Sequence, residues 1–149
     1  CNCSLICRPV SDVLTSSLLC GFVQSPVGLC SLTRGSISKT NNMLTVIGVA
    51  LFNLHNHNPP MFHGDARIQN LVVSDKSSLF WVDLRTSKLL EGQNMSVLRR
   101  FDVKILIDSI VDGATEQANV VIAIDTYCTV PTEANMMALM ALVHNVLWT

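Results

Sequence analysis

The clearest structural signal in this chain is the octapeptide His63-Gly64-Asp65-Ala66-Arg67-Ile68-Gln69-Asn70, because a strand-forming apolar run follows it directly. That run, Leu71-Val72-Val73, leads through a polar turn at 74–78 into a second apolar run, Leu79-Phe80-Trp81-Val82, which ends at Asp83. Two apolar runs around such a turn are typical of an antiparallel hairpin. We therefore predict that strand pairing brings Asp65, Asn70 and Asp83 to one end of the hairpin.

These side chains carry oxygen ligands that suit a hard cation. Mg2+ is commonly held by one or two carboxylates, with water and substrate phosphates as its other ligands, so we predict that Asn70 and Asp83 bind Mg2+. Asp65 is placed to accept the proton of an attacking hydroxyl, and Arg67 to offset charge on a transferring phosphoryl group. The pattern predicts phosphoryl transfer. The alternative is a polar loop and hairpin on an unrelated domain.

The same residues resemble the catalytic loop of the protein-kinase-like superfamily, where H-x-D-x-x-x-x-N precedes the metal-binding acid of a D-F-G segment. Here the two segments read H-G-D-A-R-I-Q-N and D-L-R. The resemblance implies that Asp65 is the catalytic base and Arg67 the phosphate contact, with ATP as the phosphate donor and a protein hydroxyl as the acceptor. It implies that Asn70 and Asp83 hold the Mg2+, and that Asp102 hydrogen-bonds the backbone of the H-x-D loop as a structural support.

Within this superfamily, the H-G-D-A-R-x-x-N segment, its hydrophobic-D-L-R partner and the short link to the next helix together most resemble the atypical kinase domains of Crinkler-type effector proteins from filamentous pathogens. The H-G-D form also occurs in aminoglycoside and choline kinase relatives, so a small-molecule kinase stays an alternative. The resemblance covers residues 18–149, and its motifs lie within 63–102. It implies an intracellular location in the cytoplasm or nucleus, or, for an effector, secretion and action inside a host cell.

The expected fold class is α+β: a single, partial kinase-like domain over 1–149, mostly helical, in which a short hairpin carries the catalytic loop at 63–83. Apolar residues at spacings of three and four predict a long helix over 36–57, capped by Ser38 or Thr40. Further helices are expected over 99–149: a buried one with Phe101 among its apolar positions, one over 115–126, and a Met-rich one from Thr132 to Trp148. Residues 1–30 resemble a remnant of the hinge that receives adenine.

The kinase pattern is incomplete in this chain. No G-x-G-x-x-G motif occurs, and none of Lys39, Lys76, Lys88 or Lys104 follows a strand upstream of the loop, as the phosphate-pairing lysine requires. The N-lobe is therefore expected to be largely absent, and without an initiating Met the chain reads as a fragment. Two hypotheses follow: a kinase represented by its C-lobe, or a non-catalytic kinase-like remnant that serves as an interaction module.

Composition excludes several other classes. The net charge is -1 and no basic cluster exceeds Arg99-Arg100, so we predict no nucleic-acid partner. No run of about 18 residues lacks polar groups, so we predict no membrane partner. The six cysteines are expected to be reduced thiols.

Three histidines also need an interpretation. His55 and His57 allow a zinc-hydrolase hypothesis, but no acid follows them directly, and solvated histidines at a helix end are the preferred explanation. His63 is expected to pack under the loop rather than to take part in chemistry.

Overall fold

A computed structural model describes residues 30–73 and 78–149 of the chain, together with four strands of two residues each within 8–25. Those strands form two antiparallel pairs: β1 (Arg8–Pro9) with β4 (Gln24–Ser25), and β2 (Leu14–Thr15) with β3 (Cys20–Gly21). The other residues before Cys30, most of the segment in which a hinge was predicted (1–30), lie outside the described residues, as do 74–77 of the predicted turn at 74–78.

The described residues confirm the α+β class. Their α-helices are α1 (Met43–His55), α2 (Met95–Ile110), α3 (Ala118–Thr129) and α4 (Glu133–Trp148). Their strands are β5 (Cys30–Ser31), β6 (Met61–Phe62), β7 (Leu71–Val73), β8 (Leu79–Trp81) and β9 (Lys88–Leu89). One apolar core joins all four helices to the β7–β8 pair.

The predicted hairpin is confirmed. β7 and β8 pair antiparallel with Leu71 opposite Trp81, and β5 adds a third strand beside β7. A second antiparallel pair joins β6, just before the loop, to β9, just after the Asp83 segment. The loop and the Asp83 segment are therefore each held at both ends by strand pairing.

Helix α1 is shorter than the 36–57 span predicted for it. It begins at Met43 because the preceding residues form a turn of their own, in which Asn41 Oδ1 accepts hydrogen bonds from the backbone N–H groups of Ser38 and Met43. The N-cap residue is Asn42 rather than Ser38 or Thr40. The predicted periodicity is confirmed, since Ile47, Leu51 and Leu54 are all fully buried.

The predicted helices of 99–149 are present, with shifted boundaries in two cases. Helix α2 begins four residues early, and Phe101 was wrongly assigned to its buried face: 51% of its surface is exposed, since Asp102 and Val103 face the core instead. Helix α3 begins at Ala118 rather than 115 because Ala114–Glu116 forms a separate 3-10 turn. Helix α4 starts as predicted, with Thr132 Oγ1 accepting from the Asn135 N–H.

The structure also bears on the predictions about membrane-spanning segments and about the cysteines. No helix in the described part of the chain is long and apolar enough to cross a membrane. Cys30 and Cys128 are free thiols, and burial raises the pKa of the Cys128 thiol to about 11. The remaining cysteines lie in the segment 1–29, whose side chains are not described.

Gly48 allows α1 and α4 to approach closely. A Cβ atom at this position would overlap Cγ of Met140 and crowd Met136, both of which are buried in α4. The absence of a side chain at Gly48 is therefore part of the packing between the first and last helices.

Replacing Gly48 with Val should lower the free energy of unfolding by about 1–3 kcal/mol, because the added atoms overpack this helix contact. Chemical denaturation measures the change. Gly35→Val is the matched control, since a Cβ at Gly35 meets its nearest neighbour at an ordinary 3.5 Å. Equal losses in the two variants would contradict the close-packing explanation.

Candidate functional site

The loop at 63–67 is fixed by a buried carboxylate from helix α2. Asp102 is fully buried; its Oδ2 accepts the His63 N–H at 2.8 Å and its Oδ1 accepts the Gly64 N–H at 2.9 Å. Buried backbone donors need such partners, and a buried carboxylate is tolerated only where hydrogen bonds surround it. The predicted contact between Asp102 and the loop backbone is therefore confirmed.

His55 belongs to the same buried network, so its assignment as a solvated helix-end residue was wrong. Its Nε2 lies 3.2 Å from Asp102 Oδ2, and its Nδ1 lies 2.9 Å from the Tyr127 hydroxyl, with the ring fully buried. Burial lowers the pKa of His55, although Asp102 opposes that shift. The position of His55 at the end of α1 was predicted correctly. This end of the helix, however, packs against α2 and α3 instead of facing solvent.

His63 packs beneath the loop, as predicted. It is fully buried, its ring centroid lies 4.9 Å from that of Trp81, and its Nδ1 accepts the Asp65 N–H. The other nitrogen, Nε2, then carries the proton and donates to the Val82 carbonyl at 3.0 Å. The ring thus joins the Asp65 side of the site to the strand that leads into Asp83.

Both the backbone conformation at position 64 and the close approach of Thr86 require a glycine there. Its φ of +84° lies in the region that L side chains rarely adopt, and a Cβ would overlap the carbonyl oxygen of Thr86. Thr86 Oγ1 also donates to the His63 carbonyl at 3.0 Å. The loop therefore lies directly against the segment that follows Asp83.

Asp65 and Asn70 are brought together as predicted. The Asn70 Nδ2 amide donates to the Asp65 backbone carbonyl at 2.8 Å and to Asp65 Oδ2 at 3.1 Å. Arg67 Nε donates to the other carboxylate oxygen, Oδ1, at 2.8 Å. Both oxygens of the proposed base thus have a fixed donor.

Asp83 is linked to the loop through the hairpin backbone, because the Val82 N–H donates to the Asn70 carbonyl at 2.9 Å. Its φ and ψ of 58° and 55° are left-handed, which is uncommon for a residue other than Gly and is better tolerated by Asp than by most. Such strained positions concentrate at functional sites. The 3-10 turn Leu84–Thr86 follows directly.

Arg85 was not among the predicted site residues, yet it makes the most direct contact with Asp83. Its Nε lies 2.6 Å from Asp83 Oδ1 and its Nη2 lies 3.0 Å from Oδ2, a bidentate ion pair. The guanidinium holds the pKa of the Asp83 carboxyl below its ordinary value. A signal was present in the sequence, because D-x-R occurs twice, at 65–67 and at 83–85.

The donors at this site fit a hard cation. Asn70 uses its amide nitrogen on Asp65, which leaves Oδ1 to act as a ligand, and Asp83 supplies carboxylate oxygens. Within 30–73 and 78–149, no three or more His, Cys, Asp or Glu side chains are grouped so that they could hold a metal ion of any kind, so a cation here would depend on the single Asp83 carboxylate and the Asn70 amide oxygen. A cavity of about 340 Å³ opens beside the loop and is lined by Arg67, Gln69, Ile105, Asp108 and Ser109.

Comparison with known proteins yields no matching family model and no matching curated protein. The resemblance to the kinase-like superfamily therefore depends on the motif residues alone.

Replacing Asp102 with Asn should lower the free energy of unfolding by about 3 kcal/mol, because one carboxylate acceptor becomes an amide donor facing a backbone N–H. Denaturant unfolding measures the loss. Asp112→Asn, at an exposed position just beyond α2, should change stability little. Similar stability of the two variants would show that the Asp102 contacts do not hold the loop.

Stability should fall as the pH drops from about 7.5 to 5.5. Burial lowers the pKa values of both His55 and His63 below 6.5, so the unfolded chain takes up protons before the folded chain does. Each histidine contributes up to about 1.4 kcal/mol per pH unit between its folded and unfolded pKa values. Unfolding curves at several pH values test this, and His55→Gln should remove that residue's part of the slope. A flat profile would contradict it.

Proposed function

We propose that this chain carries the catalytic loop and cation site of an ATP-dependent phosphotransferase of the protein-kinase-like superfamily, represented here by its C-lobe. The observation that carries the proposal is the convergence of Asp65 and Asn70 in a loop whose backbone Asp102 fixes, next to Asp83 in a strained conformation. Phosphoryl transfer depends chiefly on positioning and on charge stabilisation, which such a loop supplies.

Each side chain has a role that follows from its contacts. Asp65 accepts the proton of the attacking hydroxyl, with its carboxylate oriented by Asn70 and Arg67. Asn70 Oδ1 and the Asp83 carboxylate hold Mg2+, which when bound offsets negative charge on the phosphates. Arg67 is half exposed beside Asp65, where its positive charge offsets negative charge on the transferring phosphoryl group.

The acceptor is proposed to be a protein hydroxyl; the cavity beside the loop is lined by Arg67 and Gln69 together with residues of α2. An aminoglycoside- or choline-type acceptor is the small-molecule alternative within the same reaction class. The proposed location is intracellular, in the cytoplasm or nucleus, or inside a host cell for a secreted effector of the Crinkler type.

A second candidate is a non-catalytic kinase-like interaction module. It is favoured by the exposed apolar side chains Val97 and Phe101 on α2 and Leu89 on β9, which are 62%, 51% and 48% exposed. In this case the loop geometry would persist without nucleotide binding.

Asp83→Asn should weaken Mn2+-dependent ATP binding at least about tenfold, because it removes the ligand charge while keeping the side-chain shape. Titration of a fluorescent ATP analogue, with Mn2+ or with a chelator, measures this. Asp112→Asn is the control for the loss of an exposed carboxylate. Asp65→Asn should retain nucleotide binding and lose phosphate transfer to a generic protein substrate.

Binding that survives both Asp83→Asn and the chelator would contradict the proposed cation site. A wild-type chain that binds no nucleotide under any of these conditions would favour the interaction module instead.

A further inference from the structure

The Asp83–Arg85 pair occupies the carboxylate that the proposed function assigns to a cation. Arg85 contacts both carboxylate oxygens, at 2.6 and 3.0 Å, from within the turn that Asp83 itself begins. Because the two residues are only two positions apart, holding them together restricts little chain. A divalent cation that uses either oxygen must compete with the guanidinium.

Charge balance supports this view of the pair. Asp65 and Asp83 carry one negative charge each, and Arg67 and Arg85 pair with them one to one. All four carboxylate oxygens are thus accounted for: three accept from guanidinium groups and the fourth accepts from Asn70. A site neutralised in this way attracts a bare cation less strongly than two free carboxylates would.

Arg85 is also the more exposed of the two arginines in this set. Its side chain is 86% exposed, against 34% for Asp83, and every hydrogen bond found for its side chain in the described part of the chain goes to Asp83. It also lies within electrostatic range of Asp65. A guanidinium has donors for bidentate phosphate binding, so Arg85 is suited to bind a phosphate group brought to Asp83.

We propose that Arg85 is an exchangeable counter-ion: it competes with divalent cations for Asp83, and moves onto the nucleotide phosphates when a cation–nucleotide complex binds. The inference rests on the proposed function, since it takes Asp83 as the cation ligand. On this proposal, the D-L-R segment favours binding of the cation together with its nucleotide over binding of the cation alone.

Arg85→Gln separates the two halves of the proposal. With Mn2+ alone, the variant should bind the ion about fivefold more tightly than the wild-type chain, because an exposed ion pair no longer competes. At saturating Mn2+, its ATP affinity should be about tenfold weaker, because a charged phosphate contact is lost. Electron paramagnetic resonance of free Mn2+ reports the first quantity, and titration of a fluorescent ATP analogue the second.

Arg100→Gln is the matched control, since Arg100 pairs with Asp125 on α3 and its loss removes the same charge from the chain. It should change neither affinity. A gain in Mn2+ affinity is not expected from general damage to the fold, so this readout distinguishes competition from a structural role.

Each outcome decides one part of the proposal. Equal Mn2+ affinities for Arg85→Gln and the wild-type chain, both abolished by Asp83→Asn, would overturn the competition while leaving the proposed cation site intact. No Mn2+ binding by either chain would overturn both. Tighter Mn2+ binding with unchanged ATP affinity would overturn only the transfer of Arg85 to the phosphates.

Discussion

The structure depends on one carboxylate. Asp102 lies on α2 and accepts the N–H groups of His63 and Gly64, while His55 from α1 lies against the same Oδ2. An unpaired buried carboxylate is very unfavourable, so this position is stable only when the loop and both helices are in place together. The hydrogen bonds therefore couple the assembly of the helical core to the shape of a loop on its surface.

This coupling explains why the loop is irregular and yet well determined. Gly64 takes a positive φ directly against Thr86, and Asp83 takes a left-handed conformation without being glycine. Such conformations persist only where surrounding contacts hold them. The β6–β9 pair holds the loop and the Asp83 segment together from one side, the β7–β8 pair holds them from the other, and Asp102 supports the loop from below.

Local pattern was enough to predict the parts of the fold that local physics sets. Two apolar runs around a polar turn predicted the β7–β8 hairpin, and apolar spacings of three and four predicted the helices. The pattern did not reveal His55 as buried, because its partners are 47 and 72 residues away in sequence. Phe101 was wrongly assigned because the buried face of α2 is the one that carries Val103, Leu106 and Ile110, and Phe101 lies outside it. The start of α1 was missed because the Asn41 side chain forms a competing turn.

The two D-x-R segments show how backbone conformation sets the chemistry of identical residue types. At 65–67 the chain turns into a 3-10 helix, and Arg67 reaches a single oxygen of Asp65, so that Asn70 can take the other. At 83–85 the left-handed Asp83 presents its whole carboxylate to Arg85, which contacts both oxygens. Asp65 is thus oriented by two different donors, whereas Asp83 is held by the single guanidinium group of Arg85. Within the proposed function, a single ionic partner suits Asp83 as a cation ligand, and divided hydrogen bonding suits Asp65 as a base. The asymmetry between the two acids is a physical reason to assign them different roles.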